Sequence, residues 1–174
     1  MDLLLEMLKL TLPSLVVFFT VYFVLKLLLE ERQRMDGVML RQEAQKITLP
    51  LRLQAYERLT LLCDRVSIPN TLLRVRMPGM TAAQLTHALL LAINQEFDHN
   101  SSQQLYVSET LWRIISTAKQ QTLELIAQAA EGLDPQEGDE ALVRRLFAML
   151  EAQGEPTPLQ QAIVAIRTEA GRLF

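Results

Sequence analysis

Cysteine is all but missing: the chain has one, Cys63, among 174 residues. A single thiol cannot close an internal disulfide, so the fold must be held by its core, as suits a reducing compartment. Glycine and proline are sparse, at six and seven residues, while 49% of the chain is hydrophobic. That balance excludes a disordered or low-complexity chain. No stretch shows the two-residue alternation of a half-buried strand, which leaves an all-α class. Aromatic residues make up 6% and do not interleave with the basic ones, so the stacking platform of a single-strand nucleic-acid binder is missing. A glycine-rich phosphate loop, H-E-x-x-H and G-x-S-x-G are missing too. No cofactor is expected, and the chain does not read as an enzyme.

Charge is the next absence. Between Lys9 and Lys26 there is no charged side chain, and the apolar run LTLPSLVVFFTVYFVLKLLL at 10–29 continues if Lys26 snorkels. Twenty helical residues rise about 30 Å, the thickness of a bilayer's hydrocarbon core. The run therefore predicts a single, uncleaved transmembrane helix. A signal peptide would need small residues after the run and a basic start, but LKLLLEERQRM follows it and Asp2 and Glu6 precede it. A buried core helix would show a polar face, whereas only Ser14, Thr20 and Tyr22 are polar between Leu12 and Leu25. Pro13 either begins the span or kinks the chain after a short interfacial turn. Only Lys9 precedes the run, while Lys26, Arg32, Arg34, Arg41 and Lys46 lie in its last turn or beyond it. This asymmetry sets the N-terminus outside and the rest in the cytoplasm, at an inner membrane. The expected organisation is a short extracytoplasmic N-terminus at 1–9, the span at 10–29, a juxtamembrane helical stalk at 30–47 hinged near Gly37, and a cytoplasmic helical domain at 48–174.

The remainder divides by charge. Residues 30–76 carry nine Lys or Arg against six Asp or Glu; residues 77–174 carry six against twelve. The basic part would face an anionic leaflet, and the acidic part argues against nucleic acid as a partner.

Within the domain the apolar residues recur at helical spacing. Thr48-Leu49-Pro50 predicts a fresh helix, with Leu51, Ala55, Leu59, Leu62 and Val66 on one stripe and Leu53, Tyr56, Thr60 and Cys63 beside it. Pro69-Asn70 and Pro78-Gly79 break the pattern, with room for one helical turn between them. Thr81 with Gln84 forms a capping box for a helix whose LTHALLLAI is apolar nearly all round, as a central helix would be. Residues 98–107 read as a polar loop. Ser108 caps a helix carrying Leu111, Ile115, Ala118, Thr122, Leu125 and Ala129, stopped by Gly132 and Asp134-Pro135. A shorter helix follows with Leu142, Leu146, Met149 and Leu150, ending near Gly154. Thr157 and Gln160 make a second capping box, and Leu159, Ile163, Ile166, Ala170 and Leu173 align on the last helix. Short connections between about five such helices predict a compact bundle.

Few residues suggest chemistry. Glu96 and His99 form one E-x-x-H, but a di-metal bundle needs a second, and the other histidine, His87, is not in one. Cys63 lies on an apolar stripe, where a thiol packs as a small hydrophobe rather than pairing with His87 as a nucleophile. The most unusual composition is the stretch from Glu96 through Ser108, where Glu96, amides and an aromatic sit between two apolar helices. His99, Asn100, Gln103, Gln104 and Tyr106 are the candidate partner contacts, with Tyr106 the anchor. Arg52, Arg58, Arg65, Arg74 and Arg76 are the candidate basic surface toward lipid headgroups.

At 47–108 the stretches ITLPLRLQAYERLTLLCDR, RMPGMTAAQLTHALL and INQEFDHNSSQQLYVS resemble an uncharacterised bacterial family of small single-pass membrane proteins with a helical cytoplasmic domain. The resemblance implies the architecture and no activity, cofactor or catalytic residue; the last two helices fall outside it. The reading is a membrane-anchored, non-enzymatic helical adaptor or accessory subunit that binds the bilayer and another protein. A stalk-like structural subunit, an enzyme and a ribosome- or RNA-contacting membrane factor are its rivals.

Overall fold

The computed structural model describes the backbone of residues 2–173 and the side chains of 15–32, 35, 43 and 45–173. The fold is all-helical: α1 (Asp2–Arg65), α2 (Ile68–Val75), α3 (Ala82–Asn100), a 3₁₀ segment (Ser101–Tyr106), α4 (Glu109–Ala130), α5 (Glu140–Gln153), α6 (Pro158–Ala170) and a closing 3₁₀ turn (Gly171–Leu173). The chain divides into two compact units, Met1–Thr48 and Leu49–Phe174.

The first unit corrects the expected transmembrane helix. Among the described residues no helix is long and apolar enough to cross a membrane. Only sixteen uncharged residues separate Lys9 from Lys26. They rise about 24 Å in a helix, short of the roughly 30 Å a bilayer core demands. Lys26, Glu30, Glu31 and Arg32 then place four charges within the next seven positions. The described apolar side chains of this stretch, Leu15 to Leu29, are exposed, and Thr20 Oγ1 donates back to the Val16 carbonyl at 2.7 Å. The expected N-terminal segment 1–9, Pro13 and the hinge at Gly37 lie outside the described side chains.

A second correction concerns where helices begin. α1 carries through Pro50 instead of starting afresh there. Proline removes its own N–H from the ladder and crowds the carbonyl four residues earlier, a cost of roughly 3 kcal/mol. The turns beyond it are fixed by Ala55, Leu59, Leu62 and Val66, each at most 2% exposed.

The second unit is a bundle whose core largely follows the expected stripes, except that Leu51, placed on the core-facing line, is 41% exposed. Leu85, Leu89 and Ile93 of α3, Leu111, Ile115 and Ile126 of α4, Leu142 and Leu146 of α5 and Ile166 of α6 join the α1 stripe in one core. Each such side chain contributes roughly 1.5–3 kcal/mol over its exposed state. α4 packs against α3, α5 and α6, and α3 against α2, α4 and α5. α3 is less enclosed than its composition predicts, because Leu91 remains 47% exposed. Both capping boxes form, Thr81 with Gln84 and Thr157 with Gln160, and Ser108 Oγ accepts from Leu111 N–H.

The loop between α4 and α5 satisfies the ends it touches. The first N–H groups of α3 would otherwise lack partners. Ala82 donates to the Glu137 carbonyl at 2.8 Å and Ala83 to that of Pro135 at 3.3 Å. Arg145 Nη1 donates to the Glu131 carbonyl at 2.6 Å just past the end of α4. Arg76 then grips Asp139, the residue before α5, through two hydrogen bonds of 2.5 and 3.1 Å. That guanidinium holds the Asp139 carboxyl below its ordinary range, outweighing the opposing effect of burial.

Candidate functional site

Residues 98–106 are helical rather than a loop, and Val107 is extended. α3 runs on through Asn100, and the chain tightens there into the 3₁₀ segment. The cause is local: Asn100 is 7% exposed and its Nδ2 donates to the Glu96 carbonyl at 2.8 Å, while Ser101 Oγ donates to the Asp98 carbonyl at 2.8 Å. Short polar side chains thus supply the bonds that close the final turns. Beside this corner the Phe97 and Trp112 rings pack with centroids 5.1 Å apart and planes tilted by 37°, and Lys119 Nζ lies 4.5 Å from the Phe97 centroid.

The far end of the segment is tied to two other helices. Arg52 Nε of α1 donates to the Tyr106 carbonyl at 3.2 Å, and its Nη2 donates to Tyr56 Oη at 3.0 Å. Tyr56 Oη donates in turn to Glu169 Oε1 of α6 at 3.0 Å. The same carboxylate accepts from the Ser108 N–H at 2.9 Å and, by a shorter bond, from Ser108 Oγ. Burial pushes the Glu169 carboxyl up, but the Ser108 and Tyr56 donors and the Arg52 charge together take it below its ordinary value. Burial, with the bond to Glu169, raises the Tyr56 phenol.

On this braced turn the exposed side chains are Asp98, His99, Ser102, Gln104, Leu105 and Tyr106. Leu105 is 79% and Tyr106 38% exposed. Gln103 is half-buried and donates to Ser102 Oγ at 3.4 Å, and Asn100 is spent on the helix end. The structure therefore presents Gln104 and Tyr106 together, with Leu105 between them. Leu105 is missing from the sequence-derived set, although an apolar residue inside the run QQLYV is a legible signal.

The family of unknown function DUF7935 matches the chain over residues 2–173. The chain belongs to this family. Membership of DUF7935 agrees with the expected kinship to an uncharacterised family and widens it from 47–108 to take in the last two helices. Neither a bacterial source nor a membrane association is part of that match. No curated protein and no solved structure matches the chain.

In this DUF7935 chain the five arginines expected to form one basic surface are largely engaged with other groups. Arg65 clasps Glu96 through bonds of 2.8 and 3.1 Å, and Arg74 reaches the same carboxylate at 3.2 Å and the Arg65 carbonyl at 3.0 Å. Arg76 is held by Asp139 and Arg52 by Tyr56 and Tyr106. Arg58 alone of the five is exposed without such a partner among the described residues. The Glu96 of the E-x-x-H is thus occupied by two guanidiniums. Burial raises its pKa, but Arg65 and Arg74 more than compensate and hold it low. Cys63 is 1% exposed, and burial pushes its thiol up to about 12. At neutral pH it is a thiol, not a thiolate nucleophile. His87 is exposed on α3.

Proposed function

We propose that this chain is a non-enzymatic helical adaptor or accessory subunit, and that its 3₁₀ segment docks another folded protein. The observation that carries the reading is the pairing of exposure with bracing. Leu105 and Tyr106 stand out from the surface at 79% and 38% exposure, while the backbone beneath them is bonded to α1 and flanked by the Ser108–Glu169 bonds. A turn ordered in advance loses little further entropy on binding, and an aromatic beside a leucine gives area at small rotamer cost.

Tyr106→Ala leaves the backbone acceptor of Arg52 in place, so it separates docking from folding. Paired with Gln103→Ala/Gln104→Ala, it is to be tested by thermal melting and by co-purification of partner. Partner lost with melting shifted by less than about 3 °C supports the surface. A larger drop in melting for Tyr106→Ala, with the partner retained by the glutamine pair, refutes it. The length of α1, 64 residues, favours one rival, a stalk-like structural subunit; for that role both sets of variants would leave assembly intact.

A further inference from the structure

α5 buries Leu142 and Leu146 and leaves Phe147, next in sequence, 42% exposed. α2 buries Ile68, Thr71 and Leu72 and leaves Leu73 85% exposed. Phe147 lines a groove of about 620 Å³ bounded by the last turn of α1, the start of α2, the middle of α4, the end of α5 and the start of α6. Its floor is set by Cys63, Thr122, Leu125 and Leu159, all at most 7% exposed. A second hollow of about 430 Å³ shares Pro69 and Phe147 with the first and continues along Leu72, Leu73 and Val143. The two hollows meet at these two residues, and the surface lining each is mainly apolar.

The charge around the larger groove has one sign. Asp64, Glu151 and Glu155 line it, and no lysine, arginine or histidine does. None of the three has an ion-pair partner among the described residues. The helix ends that meet there do not alter the balance. α2 and α6 bring their N-terminal caps, Ser67 and Thr157, while α1 and α5 bring their C-terminal ends at Asp64 and Gly154. Two positive and two negative helix ends offset each other, leaving three carboxylates about an apolar floor. The one cation on the adjoining hollow, Arg76, is already held by Asp139.

We propose that this groove receives an amphipathic helix of a second protein, one whose apolar stripe is flanked by lysines or arginines. Apolar anchors three and four residues apart would enter beside Phe147 and along Leu73, and the flanking cations would meet Asp64, Glu151 and Glu155. The proposal rests on the reading of the chain as a protein-binding module, but uses different residues from the 3₁₀ segment, so the two can fail separately.

The test is selection of a displayed library of random peptides, roughly four helical turns long, against the full chain. Enriched sequences should repeat apolar residues at helical spacing and carry net positive charge. Their synthetic forms should bind about tenfold more weakly to Phe147→Ser and to Glu151→Lys/Glu155→Lys, and weaken with added salt. Tyr106→Ala should bind them as the parent does, and unchanged melting of each variant serves as the folding control. Enrichment of acidic or uncharged peptides, no enrichment over blank, or indifference to both groove variants would each overturn the proposal. So would self-association of the chain abolished by Phe147→Ser, which would assign the groove to a second copy. Loss of peptide binding on Tyr106→Ala alone would likewise overturn it while leaving the docking role of the 3₁₀ segment standing.

Discussion

Replacing Glu169 by alanine should loosen the corner that braces the 3₁₀ segment. Its carboxylate accepts from Tyr56 Oη, from the Ser108 N–H and from Ser108 Oγ. The Ser108 groups are exposed, so water replaces what they lose at small cost. Tyr56 is 4% exposed, and its hydroxyl proton would be left without an acceptor. A buried unsatisfied donor costs about 1–3 kcal/mol, so the variant should lose about 2 kcal/mol in urea unfolding. For a unit spanning Leu49–Phe174 that corresponds to a melting drop of about 8 °C. Tyr56→Phe removes the same bond from the other side, so the double variant should show a coupling of about 1 kcal/mol. The pH dependence has a definite sign. Glu169 is held below its ordinary pKa in the fold, so its contribution is complete above the unfolded carboxyl value of about 4.3. It is lost as the pH falls through the depressed folded value. The gap between parent and Glu169→Ala should therefore be full at neutral pH and narrow in acid. A loss below about 0.5 kcal/mol, or a gap that widens in acid, would show that this carboxylate does not brace the corner.

The remaining predictions concern the backbone, the thiol and the independence of the second unit. Gly154 closes α5 at φ 74°, ψ 179°, and a methyl added there would meet nothing within 4 Å, so Gly154→Ala should cost about 2 kcal/mol through backbone strain alone; an unchanged urea midpoint would contradict this. Cys63, its thiol raised to about 12, should resist alkylation in the native chain at neutral pH and react in denaturant, whereas rapid native labelling would show the site is open. The fragment Leu49–Phe174 should be helical and melt cooperatively, because its core residues all come from within it; a gradual melt would mean the core is completed from outside.

Features that depend on near neighbours are legible in the sequence. Thr81 with Gln84 and Thr157 with Gln160 cap as their three-residue spacing requires, and the whole α4 stripe is buried where periodicity places it. On α6, Leu159 and Ile166 are buried, Ile163, Ala170 and Leu173 only half-buried, and Ala162, off the expected stripe, is fully buried. Residues 98–107 read as a loop because polarity suggests irregularity, whereas Asn100 and Ser101 use their side chains to continue helical turns. Pro50 reads as a boundary, yet burial of the following stripe outweighs the missing bond and the crowding of the turn before it. The run at 10–29 reads as a span, yet among the described residues no helix is long and apolar enough to cross a membrane, because Lys26, Glu30, Glu31 and Arg32 crowd its end. The pairs Arg65–Glu96, Arg76–Asp139 and Tyr56–Glu169 join residues 31, 63 and 113 positions apart. No local pattern marks such partners, which is why the basic residues read as a free surface. Phe147 carries no signal in the sequence because it lies off the stripe of its own helix, and only the fold shows what it borders.

Whether the 3₁₀ segment touches another protein can be measured by site-specific photocrosslinking in living cells. A photoreactive residue is placed at Leu105, at Gln104 and, as a control, at His87, exposed on α3 and away from both the segment and the groove. A docking role for the segment predicts one discrete crosslinked species of defined mass from Leu105 and Gln104, absent from His87. Equal, diffuse labelling from all three positions, or a discrete species from His87 alone, would contradict it.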